Sequence, residues 1–63
     1  MSFGKKCLEF RANHNLTQKQ FADIIGVNAF MIYRYENEIS EPSAVNKIKF
    51  ENKMKEYEVN KNV

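Results

Sequence analysis

The chain has 63 residues, 43% of them hydrophobic and 29% charged, with a formal net charge of +2; this suits one small core and is too apolar for a disordered segment. Its single cysteine, Cys7, excludes an internal disulfide, and Cys7 with His14 is too small a set of soft ligands for a metal site, so no cofactor is expected. No apolar run is long enough to span a bilayer and the N-terminus lacks a secretory h-region, so a cytoplasmic protein without a membrane partner is expected.

Four helical segments are predicted, and nothing alternates long enough to suggest a sheet. The first runs from about Phe3 to Asn13, with Phe3, Cys7, Phe10 and His14 on one stripe. It ends in the polar cluster Asn13-His14-Asn15, with His14 read as a surface or helix-end residue. The second is the best marked. Thr17 and Gln20 have capping-box spacing, and Leu16 with Phe21 fits a hydrophobic staple. Phe21, Ala22 and Ile25 form its buried stripe, and Gly26 stands where a left-handed C-terminal residue is needed.

Only Val27 and Asn28 precede the third segment, Ala29 to Glu36, with Asn28 as its expected N-cap. Ile32 and Tyr35 are predicted to face inward; Ala29, Phe30, Tyr33 and Arg34 are predicted to face out. After the loop Asn37 to Pro42, Ser43 can cap a fourth helix that begins at Ala44 and turns Val45, Ile48 and Phe50 or Asn52 toward the body. Its end is open between Phe50 and Tyr57, and residues Asn60 to Val63 are expected to fray. Lys47, Lys49, Glu51, Lys53, Lys55 and Glu56 mark a solvated face.

The charge is unevenly spread. Lys5, Lys6 and Arg11 face only Glu9 in the first 15 residues, while residues 16–36 balance and the tail from Asn37 sets five lysines against five glutamates. A weak basic excess at one end is compatible with nucleic acid without arguing for it.

The second and third segments, joined across Gly26, have the layout of a helix-turn-helix spanning about residues 17–36. One helix of such a motif lies across the DNA backbone while the other enters the major groove. Ala22 must be small where the two helices cross, and Leu16, Val27 and Ile32 join them.

The stretch LTQKQFADIIGVNAFMIYRYEN resembles the Cro and cI repressor family, also called the XRE family. FGKKCLEFR resembles that family's first helix and NEISEPS its loop after the recognition helix, so the likeness covers roughly residues 3–50. The resemblance implies an all-α, four- to five-helix, lambda-repressor-like DNA-binding domain. It implies that Gln18 and Asn37 reach phosphate, that Asn28, Ala29, Phe30 and Arg34 face base edges or flanking phosphates, and that Arg11 pairs with Glu36. Amides suit phosphate oxygens and arginine suits the O6 and N7 acceptors of guanine. Tyr33, exposed beside them, joins the candidate DNA-binding set.

The chain also departs from the family. Phe30 and Met31 stand where small polar residues are common, and Ala29 stands where a base-reading side chain is usual, leaving Arg34 as the evident bidentate reader. Glu38 replaces a glycine after Asn37, and no glycine-punctuated fifth helix follows Phe50.

No nucleophile–base pair, converging carboxylates or phosphate-cradling loop is present, which argues against an enzyme. Two functions remain. One is a transcriptional regulator, Cro-like and of phage or prophage type, acting as a nucleoid-associated repressor in a bacterial cell. It would bind a pseudo-palindromic operator as a weak homodimer, with no small-molecule effector or second sensing domain. Met54 and Tyr57 are the expected dimer surface, unless Tyr57 packs on Leu8 within one monomer. The other is a protein-interaction module that keeps the scaffold and uses Phe30, Met31 and Tyr33 to bind another regulator.

Overall fold

The computed structural model describes residues 2–61, and these form four helices: α1 (Phe3–His14), α2 (Gln18–Ile25), α3 (Ala29–Glu36) and α4 (Ala44–Lys61). Each start is set by a short polar side chain that accepts an otherwise unpaired amide proton. Ser2 Oγ accepts from the Lys5 amide at 3.2 Å, Asn28 Oδ1 from Met31 at 2.9 Å and Ser43 Oγ from Asn46 at 3.2 Å. At α2 the capping box is complete: the Gln20 amide donates to Thr17 Oγ1 at 3.0 Å and the Thr17 amide to Gln20 Oε1 at 2.9 Å.

The helix ends are equally local. Asn15 (φ 55°) and Gly26 (φ 82°) take the left-handed conformation after α1 and α2. Beyond them the Leu16 and Val27 amides turn back to the carbonyls of Arg11 and Ala22. This is the bonding that satisfies terminal carbonyls and turns the chain sharply.

One core holds the helices together. Phe3, Cys7 and Phe10 of α1 meet Phe21, Ala22 and Ile25 of α2, Ile32 and Tyr35 of α3, and Phe50 and Met54 of α4. Phe3 packs edge-on against Tyr35 with ring centroids 5.5 Å apart, and on Phe50 at 5.7 Å. Burial pushes the Cys7 thiol up to about 12, with the Glu36 charge adding to the effect, so the side chain is a small neutral hydrophobe.

Gly4 sits inside α1 at its crossing with α3. A Cβ there would overlap the Tyr35 carbonyl oxygen and stand 2.7 Å from its carbonyl carbon. The glycine serves close approach of two backbones, not only the start of a helix.

α4 departs most from expectation. It continues past Phe50 and Tyr57 to Lys61, so the expected fraying does not begin at Asn60; Asn62 and Val63 lie outside the described residues. Val45 and Ile48, expected to face the body, are exposed, and Asn52 is exposed too. Phe50 faces inward as expected, and Met54 and Tyr57 join it in place of Val45 and Ile48. Two apolar stripes compete along this helix, and the one with two aromatic rings and a methionine buries more area than two aliphatics.

Met54 is therefore spent in the core. Tyr57 packs on Phe10 (centroids 5.9 Å apart) and on His14 (5.4 Å), so neither is free to form the expected dimer surface. The ring partners of Tyr57 are Phe10 and His14 rather than Leu8, which is half exposed. His14 ends α1, as the helix-end reading expects, but it is more enclosed than a surface residue: its ring lies 4.4 Å from Phe10 and its Nε2 is 3.4 Å from Glu58 Oε2.

Candidate nucleic-acid interface

α2 and α3 are joined by Gly26, Val27 and Asn28 alone. α3 packs on both α1 and α2. Ile32 and Tyr35 turn inward, and this fixes which side chains the helix can present outward.

On that outer side Phe30 and Tyr33 are exposed and stack with ring centroids 6.2 Å apart. The Arg34 guanidinium lies 5.8 Å from the centroid of the Phe30 ring, within cation–π range. Arg34 Nε is buried without a partner, so the base of the guanidinium is enclosed by the protein. Ala29 and Met31 are half-buried and lean on the core, correcting the expectation that Ala29 faces fully outward and that Met31 joins Phe30 on an open apolar patch.

Three polar residues of the expected set hold protein groups. Asn28 Oδ1 caps α3. Asn37 Nδ2 donates to the Tyr33 carbonyl at 2.8 Å, folding the side chain back over the end of α3. Gln18 Nε2 donates to Glu36 Oε1 at 3.0 Å. The same carboxylate oxygen accepts from Arg11 Nη1 at 2.7 Å, and Arg11 Nε donates to the Leu16 carbonyl at 3.2 Å. One carboxylate thus ties the start of α2, the end of α3 and the last turn of α1 together. An amide has two N–H donors, so Gln18 and Asn37 each keep one for another acceptor.

The loop after α3 is closed the same way as the end of α1. The Glu38 amide reaches the Tyr35 carbonyl and the Ile39 amide the Arg34 carbonyl, with Glu38 itself left-handed at φ 59°. Glutamate is poorly suited to this backbone, whereas glycine adopts it without a steric cost. Glu38→Gly is expected to stabilise the protein by about 0.5–1 kcal/mol, the relief of Cβ strain exceeding the added chain entropy of the unfolded state. Equal or lower midpoints in urea melts would show that the strain is absent.

Two links were not visible in the sequence. Glu41 Oε1 accepts from the Phe3 amide at 3.3 Å, tying the α3–α4 loop to the start of α1. Lys6 pairs with Glu51 at 2.9 Å, joining α1 to α4. Both join residues far apart in the chain, and no local spacing announces them.

A family model described as helix-turn-helix matches residues 8–55, from within α1 to within α4. No curated protein and no solved structure matches the chain.

Proposed function

The chain belongs to the XRE-type helix-turn-helix family of DNA-binding transcription regulators, and from that premise we propose that it is a Cro-like repressor that reads an operator with α3. The observation that carries the reading is the outer face of α3. Phe30, Tyr33 and Arg34 stand together there on a helix whose opposite face is locked by Ile32 and Tyr35.

In this reading Arg34 donates to O6 and N7 of a guanine in the major groove. Its contact with Phe30 and its enclosed Nε restrict the side chain before binding, which lowers the entropy lost on docking. Phe30 and the edge of Ala29 meet thymine methyl groups, and Tyr33 reaches a flanking phosphate. Gln18 and Asn37 offer their second amide protons to phosphates on either side of the groove. Asn28 contributes from the start of α3, where unpaired amides favour an anion. Occupancy is then governed by protein concentration and competition for the operator, as in a phage or prophage switch.

A single motif touches few base pairs, so two copies on a pseudo-palindrome are proposed, with half-site centres ~34 Å apart. Selection of bound duplexes from a random pool tests this directly. The expected result is a palindrome with a guanine preference at one position per half-site.

Arg34→Ala is expected to weaken binding by ~1–3 kcal/mol and to erase that guanine preference. Affinity should fall steeply with salt, with a log–log slope of about −0.9 for each phosphate contacted. Salt-independent binding, or an Arg34→Ala variant with unchanged selectivity, would remove α3 from the DNA and favour a protein partner.

A further inference from the structure

The outer face of α3 has an apolar centre. Asn28 is held at the cap and Asn37 is folded back on the Tyr33 carbonyl, while Phe30 stands 62% exposed between them. Two residues one turn further along hold its ring in place. Tyr33 stacks on it with 18° between the planes, and the Arg34 guanidinium carbon lies 5.8 Å from its centre. Spacings of three and four put all three side chains on one stripe of the helix. Arg34 Nε is enclosed, which leaves the two Nη nitrogens to donate.

Two terminal nitrogens side by side match O6 and N7 of one guanine. With Arg34 there, the Phe30 ring falls against the next base pair, since successive pairs are ~3.4 Å apart along the axis. Phe30 has no donor or acceptor, so it gains nothing from the polar groups on that pair's edge and strips them of water. The apolar group that the major groove offers is a methyl on C5 of a pyrimidine. Thymine carries it, and so does cytosine once methylated at C5.

We propose that Phe30 and Arg34 read one two-base step, a 5-methylpyrimidine followed on its 3′ side by guanine, so that methylation of the cytosine in a CG step strengthens binding. The inference rests on the repressor reading above and adds to it a class of target, methylated duplex DNA, and a means of control. With the pyrimidine on the 5′ side, its methyl and the O6/N7 edge of the guanine lie on one strand, within reach of one helix stripe. The two contacts become a joint requirement, because each side chain is placed by the other. Cytosine without the methyl turns only a C–H toward the ring and forfeits the contact. Burial of one methyl changes affinity roughly fourfold per half-site, and roughly fifteenfold over a palindrome.

Four versions of the selected palindrome test this with the full chain. They carry thymine, uracil, 5-methylcytosine or cytosine immediately 5′ to the guanine whose preference Arg34→Ala erases, with the matching partner base. Thymine and uracil differ by one methyl group per half-site, and so do 5-methylcytosine and cytosine. In both pairs the parent chain should bind the methylated member roughly fifteenfold more tightly. Phe30→Ala should erase that difference, and it should melt like the parent because Phe30 is exposed. Selection from an unmodified pool should place thymine before the guanine. Salt-dependent binding by the parent with equal affinities within each pair overturns this inference and leaves the repressor reading standing. So does a methyl preference that survives Phe30→Ala. A selected site without an Arg34-dependent guanine, or no salt-dependent binding to any of the four duplexes, overturns both.

Discussion

Gly4→Ala is expected to destabilise the protein by about 3 kcal/mol or more. The added methyl would meet the main chain of α3 at Tyr35 and Glu36, not the end of a flexible side chain. Backbone can yield only if α1 and α3 separate, which loosens the Phe3–Tyr35 contact and strains the Arg11–Glu36 pair. The better helix propensity of alanine returns only ~1 kcal/mol. For a domain this size total stability is on the order of 3–9 kcal/mol, so much of the population should unfold near physiological temperature. Gly26→Ala is the matched control: a Cβ there meets nothing within 4 Å, and only the positive φ of 82° penalises it. That variant should lose ~1–2 kcal/mol. Thermal melts of the two variants decide the matter, and a Gly4→Ala midpoint at or above that of Gly26→Ala would mean that the helices do not cross so closely.

The second large effect concerns Arg11 and Glu36, and it should be asymmetric. The Glu36 side chain is 4% exposed and that of Arg11 is 23% exposed. Glu36 Oε2 already lacks a hydrogen-bond partner, so the carboxylate depends on what reaches Oε1. Arg11→Met leaves a nearly buried negative charge with only the Gln18 amide beside it, and should cost about 3 kcal/mol. Glu36→Leu leaves an arginine that still bonds the Leu16 carbonyl and can reach water, and should cost about 1–2 kcal/mol. The double variant should recover most of the loss, because an apolar pair needs no desolvation of charge. Urea melts of the four proteins form the cycle, and additive losses would show that the two side chains are energetically independent.

The sequence carried the local features of this protein because those are settled within a few residues. Thr17 and Gln20 announce the start of α2, and Gly26 its end. Asn28 and Ser43 announce the next two starts, since a cap bonds an amide only two or three positions on. The inward faces of α1, α2 and α3 were legible for the same reason: each helix has one dominant apolar stripe at helical spacing. The family, and with it the outer face of α3, followed from those neighbouring segments taken together. Where the sequence held two answers, only packing could choose. α4 carries two apolar stripes, and the aromatic one won because Phe3, Phe10 and Tyr35 were placed to receive it. Gly4 reads locally as a weak helix residue, and its need for no side chain exists only because the α3 backbone arrives there from more than 30 residues away. The same holds for Glu41 on the Phe3 amide and for Gln18 on Glu36. Such contacts depend on where distant segments are brought by burying a shared core, and the tertiary fold alone decides them.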